Sequence, residues 1–248
     1  ARVVAHGAIA FEQAVHEAIA LRQQLREMPI RDINDVEAMA RLDEDARLRL
    51  HVSERIADAL VGEVLATGES AAILDRALAS LAVQAGQAFN NEQTALAAVN
   101  ARAKTTLACD LPADKLGRIP FHWPLEFPEV FIRQRPGFDA FVGNPPFIGN
   151  RLWKGSLGER LQWQCQMVLG SSPGKVDLCV VFHRRAVDLI REDGCYGLLA
   201  TSNIAEGSAI AVGLSVVVKQ GEIYFARKAI PWPGAAAVDI SLVCFRKG

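Results

Sequence analysis

The sequence predicts an α/β chain in two parts: an all-α module over residues 1–110, then a sheet-bearing domain over residues 111–248. Three observations predict it. Apolar residues in the first part recur at helical spacings of three and four. From Leu111-Pro112 onward the pattern becomes short apolar runs that alternate with helix and are bounded by Gly, Pro and Asn. The charge divides at the same place: residues 1–110 carry 11 Lys+Arg against 16 Asp+Glu, and residues 111–248 carry 16 against 12. Only the second part leans towards anionic partners.

Composition excludes several classes. Half of the 248 residues are hydrophobic and 22% are charged, which argues against a disordered, charge-dominated chain. There is no apolar run of about 18 residues, so no spanning helix is expected. The five cysteines (Cys109, Cys165, Cys179, Cys195, Cys244) form no CxxC pair, so neither a metal site nor a disulfide framework is indicated, and a reducing cytoplasm is the expected compartment.

Residues 8–28 place Ile9, Ala10, Ala14, Ala18, Leu21 and Leu25 on one helical face, and Pro29 follows. Residues 35–66 repeat the pattern through Val36, Met39, Leu42, Leu48, Val52, Ile56, Leu60 and Val64, with Asn34 or Asp35 as the cap and Gly68 as the stop. Ser70 caps a third stretch that runs to about Ala108, with Gly86 and Asn90-Asn91 as places where it kinks or divides. His6, His16 and His51 stand singly, with no second ligand at i+4. Nothing in this part carries visible chemistry.

In the second part, residues 138–143 read as a buried strand that ends in the rigid turn Asn144-Pro145-Pro146. This strand is expected either to be an exposed edge or to be covered by the helices. Residues 148–175, rich in Gly and Ser, read as a long loop with a helical turn around 159–168. Residues 176–192 form an amphipathic helix, 195–201 a buried strand, and 208–219 a second helix. Residues 222–229 and 238–246 read as strands joined through the Pro-Trp-Pro-Gly turn. The order implies parallel strands with an antiparallel edge. Ligands in such sheets bind beyond the strands' carboxyl ends. The two polar clusters there, 144–147 and 201–203, are the default site.

Asn144-Pro145-Pro146-Phe147 has a clear chemical use. The Asn carbonyl accepts a hydrogen bond from an exocyclic amine. The Pro145 carbonyl accepts a second, since the following proline removes a competing N–H and stiffens the turn. Phe147 offers a ring for a base to stack on. An amine held by two acceptors becomes more electron-rich and can attack an electrophilic methyl without a prior general base.

These residues resemble a known family. NPPF (144–147) is similar to the catalytic motif of adenine-N6 DNA methyltransferases. The segments PFHWPLEFPEVF (120–131), GFDAFVGNPPF (137–147), 177–207 and 221–248 resemble the type IIG restriction–modification and phage-defence methylases. The resemblance implies a partial Rossmann-like methyltransferase sheet, S-adenosyl-L-methionine as cofactor, double-stranded DNA as partner, and adenine flipped from the duplex. It gives Asn144 and Pro145 the amine, Pro146 the turn geometry and Phe147 the base.

The family's aromatic-x-Gly-x-Gly cofactor segment is not found in residues 1–140, and no acidic residue follows a second strand ahead of the motif. The chain is therefore expected to lack an N-terminal part of the same polypeptide, with residues 1–110 an insertion before the motif; the start without Met points the same way. Residues 204–208 also depart from the family, whose members more often carry Gln and Asp around the Gly.

Among weaker candidates, Arg151 and Lys154, with Arg133, Arg135 and Arg160, flank the rim as phosphate contacts or as ordinary surface charge. Asp177 either approaches the cofactor or complements a helix dipole. Asn203 is a candidate lining the pocket, and His122 and His183 read as structural. The alternative function is a non-catalytic interaction or scaffold piece of a defence or restriction–modification protein.

Overall fold

The computed structural model describes residues 2–170, 174–232 and 239–248, with side chains described from residue 7. The chain divides into two compact units, 1–129 and 130–248.

The first unit holds four long helices: α1 (Arg2–Glu27), α2 (Ile33–Thr67), α3 (Ala71–Phe89) and α4 (Gln93–Leu107). Helix α2 starts earlier than expected. Its cap is Asp32, whose carboxylate accepts from Asn34 N (2.8 Å) and Asp35 N (3.3 Å), while Asp35 reaches back to the Asp32 N–H. Ser70 does precede α3, but its hydroxyl makes no capping bond. The third stretch divides at Asn90-Asn91, where Asn91 takes φ 62°; Gly86 stays inside α3 and is buried.

Small residues let these helices approach closely: Val15, Ala18, Ala46 and Leu50 form one buried cluster. Arg102 of α4 bolts three helices together, pairing with Glu63 of α2 and donating to Ala77 O (2.8 Å) and Gln84 Oε1 (3.1 Å) of α3.

The compact units divide between Glu129 and Val130. Residues 111–129 are tied to the helices. Arg118 donates to Leu107 O (3.2 Å) and Cys109 O (3.0 Å), His122 Nε2 meets Asp58 Oδ1 at 2.9 Å, and Glu129 pairs with Arg22 and Arg26. Two single-turn helices, α5 (Trp123–Glu126) and α6 (Pro128–Phe131), close this stretch.

The second unit is a four-stranded mixed sheet. Its strands are β1 (Phe138–Gly143), β2 (Ile190–Thr201), β3 (Gly221–Pro231) and β4 (Asp239–Lys247), in spatial order β1-β2-β4-β3. β1 and β2 are parallel, while β4 runs antiparallel to both β2 and β3. The antiparallel strand thus lies inside the sheet and not at its edge. Of the Pro-Trp-Pro-Gly turn, Pro233 and Gly234 fall outside the described residues.

β1 is an edge strand and Val142 is 89% exposed. Its entry is tight. Gly137 has φ +111°, and a Cβ there would sit 2.6 Å from Arg191 N, so only glycine fits.

The expected loop 148–175 is largely helical: a 3₁₀ turn (Asn150–Leu152), then α7 (Trp153–Leu157) and α8 (Glu159–Leu169). Two of its glycines delimit helices, Gly158 (φ 83°) between α7 and α8 and Gly170 (φ 77°) at the end, while Gly155 lies inside α7. Helix α9 (Cys179–Leu189) crosses from β1 to β2. The helix expected over 208–219 is broken at Gly213 into α10 (Gly207–Val212) and α11 (Leu214–Val217). At Gly213 a side chain would meet Ala209 O and Val180 Cγ1, each at 2.6 Å.

The core lies between α9 and one sheet face. Val180, His183 and Val187 of α9 are buried with Tyr196, Leu198 and Ala200 of β2 and Val243 and Phe245 of β4. Tyr196 stacks on Phe245, with ring centres 5.2 Å apart. Among the described residues no helix is long and apolar enough to cross a membrane.

Candidate functional site

Parallel pairing of β1 with β2 puts both carboxyl ends on one rim, with Gly143 opposite Leu198. Residues 144–147 leave β1 there and residues 202–205 leave β2 as a 3₁₀ turn. In the NPPF turn, Asn144 and Pro146 are exposed, Pro145 is buried, and Phe147 is partly buried against the core. The polar side chain faces solvent while the turn that carries it is anchored.

The next residues are stitched to the start of α9. Gly149 and Asp177 form an antiparallel bridge; Asn150 N–H donates to Val176 O (2.8 Å) and Leu178 N–H to Ile148 O (2.8 Å). Ile148 O also accepts from the indole of fully buried Trp153 (2.8 Å). Asp177 Oδ1 accepts from the main-chain amides of Ile148 and Cys179, each at 3.2 Å. The carboxylate, which stands two residues before α9, therefore ties the first amide of the helix to the segment leaving the motif.

These segments wall a cleft of about 460 Å³, lined by Gly149–Leu152 (149–152), 175–177 and Asn203. Three of the residues singled out in the sequence, Arg151, Asp177 and Asn203, meet in it. Residues 144–147 do not line it; they form the turn that leads to it. Lys154 is elsewhere, on α7, where its ammonium is paired with Glu159 and its pKa is raised by that hydrogen bond. Sequence reasoning missed Lys175, which lines the cleft. Only the long-range bridge brings it there, and no local pattern announces it.

The thiols offer no nucleophile here. Burial pushes Cys179, at the start of α9, up to about 12, and Cys165 up to about 11. Below the sheet, His183 Nδ1 lies 3.1 Å from the Tyr196 hydroxyl, and burial pushes the imidazole down to about 4. That pair is structural.

A sheet with helical crossovers, a proline-stiffened amide at one strand end and a polar rim defines a methyltransferase-like α/β protein. The sequence pattern of the Eco57I restriction-modification methylase family matches residues 46–211, and the chain belongs to that family. The match begins within α2, so most of the helical part is included in it, and it ends in α10, before β3 and β4. No curated protein matches the chain.

Proposed function

We propose that this methylase acts on the exocyclic N6 amine of adenine in double-stranded DNA, with the base flipped out of the duplex onto the rim. What supports the reading is the placement of Asn144-Pro145-Pro146-Phe147 at the carboxyl end of β1, with the amide exposed and the turn beneath it anchored. The Asn144 side-chain carbonyl and the Pro145 main-chain carbonyl accept the two amine hydrogens. Pro146, lacking an N–H, leaves the second acceptor uncontested, and Phe147 supplies a ring for the base. Two acceptors raise electron density on the amine nitrogen, so no buried general base is required.

S-adenosylmethionine is the donor this chemistry calls for, and when bound it supplies an electrophilic methyl group. Residues 1–140 contain no aromatic-x-Gly-x-Gly segment, and Asp177 spends Oδ1 on two main-chain amides. From this chain we derive only the handling of the amine.

The test is mass spectrometry of nucleosides from DNA of cells expressing the full reading frame. N6-methyladenine is expected, and Asn144→Ala should lower it by at least about 100-fold, the scale for loss of a reaction-specific hydrogen-bond partner. A methyl mark on cytosine would overturn the adenine assignment. Undiminished methylation in the variant would remove Asn144 from its role.

A further inference from the structure

We propose that Arg151 and Lys175 form a clamp for one DNA phosphodiester at the mouth of the rim cleft. This rests on the DNA-modifying reading above and adds a residue to it.

The two arms belong to separate segments joined by the Gly149–Asp177 bridge. One residue outward from the Asn150–Val176 bond, one segment carries Arg151 and the other Lys175. Both are exposed and both line the cleft of about 460 Å³.

Placement of the lysine is not incidental. The Ser208 hydroxyl donates to Lys175 O (3.2 Å), and the Asn150 side-chain amide donates to the carbonyl just before it, Gly174 O. The segment is thus fixed by the residues leaving β1 and by α10 after β2.

Charge points to the ligand. Arg133, Arg135, Lys154, Arg191 and Lys228 of the same unit are each paired with a carboxylate. Among the described residues, Arg151 and Lys175 have no such partner; Arg184, Lys219 and Arg227 lack one too, but only Arg151 and Lys175 line the cleft, where Asp177 also lies. Its Oδ1 is already turned to two amides. Two cations on adjacent arms repel one another, and an anion between them relieves that cost. A planar guanidinium and a compact ammonium suit a phosphodiester, which presents two equivalent oxygens sharing one charge. The cleft adjoins the turn that carries Asn144, where the strand flanking a flipped base has to pass.

Fluorescence anisotropy with a labelled duplex, titrated between about 50 and 200 mM salt, tests the clamp without methyl transfer. Arg151→Ala and Lys175→Ala should each flatten the slope of log affinity against log salt by about 0.9. Each should weaken binding about fivefold at the lower salt, and Lys175→Arg should restore it. Lys219→Ala, an exposed lysine away from the cleft, should change neither. An unchanged slope in Lys175→Ala, or flattening in Lys154→Ala but not in Lys175→Ala, overturns the clamp. Displacement of the duplex by inorganic phosphate at low millimolar concentration also overturns it, in favour of a small-anion site. Absence of N6-methyladenine from DNA of cells expressing the unsubstituted protein, with the variants flattening the slope as stated, strikes the adenine reading and leaves the clamp standing.

Discussion

Among single residues, those whose chemistry is local in sequence were legible and those assembled by the fold were not. Asn144, Pro145, Pro146 and Phe147 are consecutive, so their acceptor geometry can be argued from the string alone. Lys175 reaches Arg151 only through a bridge between distant segments. His183 was read as structural, and its environment makes that measurable. It is fully buried against Tyr196, and its pKa falls from 6.5 to about 4. The unfolded chain takes up a proton near pH 6.5, whereas the folded chain resists until about 4. The stabilisation is therefore intact above pH 6.5 and is lost as pH falls through about 4. Its ceiling is roughly 3 kcal/mol. Urea unfolding at pH 7 and pH 4.5 should show this loss, and His183→Gln should shrink it. An NMR titration placing the imidazole midpoint above pH 6 would contradict the buried, neutral assignment.

Elements were easier to find than to order. Apolar runs located the four strands of the described sheet. In β2 and β4 the run is buried, whereas β1 and β3 hold no buried residue and are marked only by their β-prone side chains. Insertion of β4 between β2 and β3 leaves no trace in periodicity, since it depends on which hydrogen-bonding edge is free when the chain returns. Helix starts moved for a related reason. Asp32 caps α2 because Asp35 can reach back to it, a reciprocity that apolar spacing does not register. The start of α9 is the element tied most directly to the segment that leaves residues 144–147. Asp177 joins it to the strand leaving the motif through one oxygen and two amides. Asp177→Asn keeps that oxygen and should keep stability to within about 1 kcal/mol. Asp177→Ala strands both amides and should cost about 1–3 kcal/mol. Chemical denaturation gives the values, and hydrogen exchange at Ile148 should quicken only in the alanine variant. Equal losses in the two variants would mean that the carboxylate charge matters more than the bridge.

At the scale of the whole sheet, β1 and β3 are both edges, and the free side of β1 is the one that carries the motif. Among the described residues that strand pairs only with β2, which leaves one row of its backbone groups for another chain. Its first half is guarded. Asp139 is held by Arg191 (2.6 Å) and Arg133 (3.1 Å), and their hydrogen bonds pull its pKa down, so charge stands at the edge across the neutral range. The second half has no such guard: Val142 is 89% exposed and is followed by Gly143. The apolar run that marked this segment as a buried strand thus holds no buried residue and lies at the edge, the first of the two expected arrangements. An exposed edge with an apolar side chain templates strand pairing, and a lysine at such a place opposes it through charge and hydration. Val142→Lys should therefore reduce concentration-dependent light scattering. Because the side chain packs little in the native state, the unfolding free energy should move by no more than about 0.5 kcal/mol. Scattering that persists at equal stability would place the self-association surface elsewhere and leave β1 a tolerated edge.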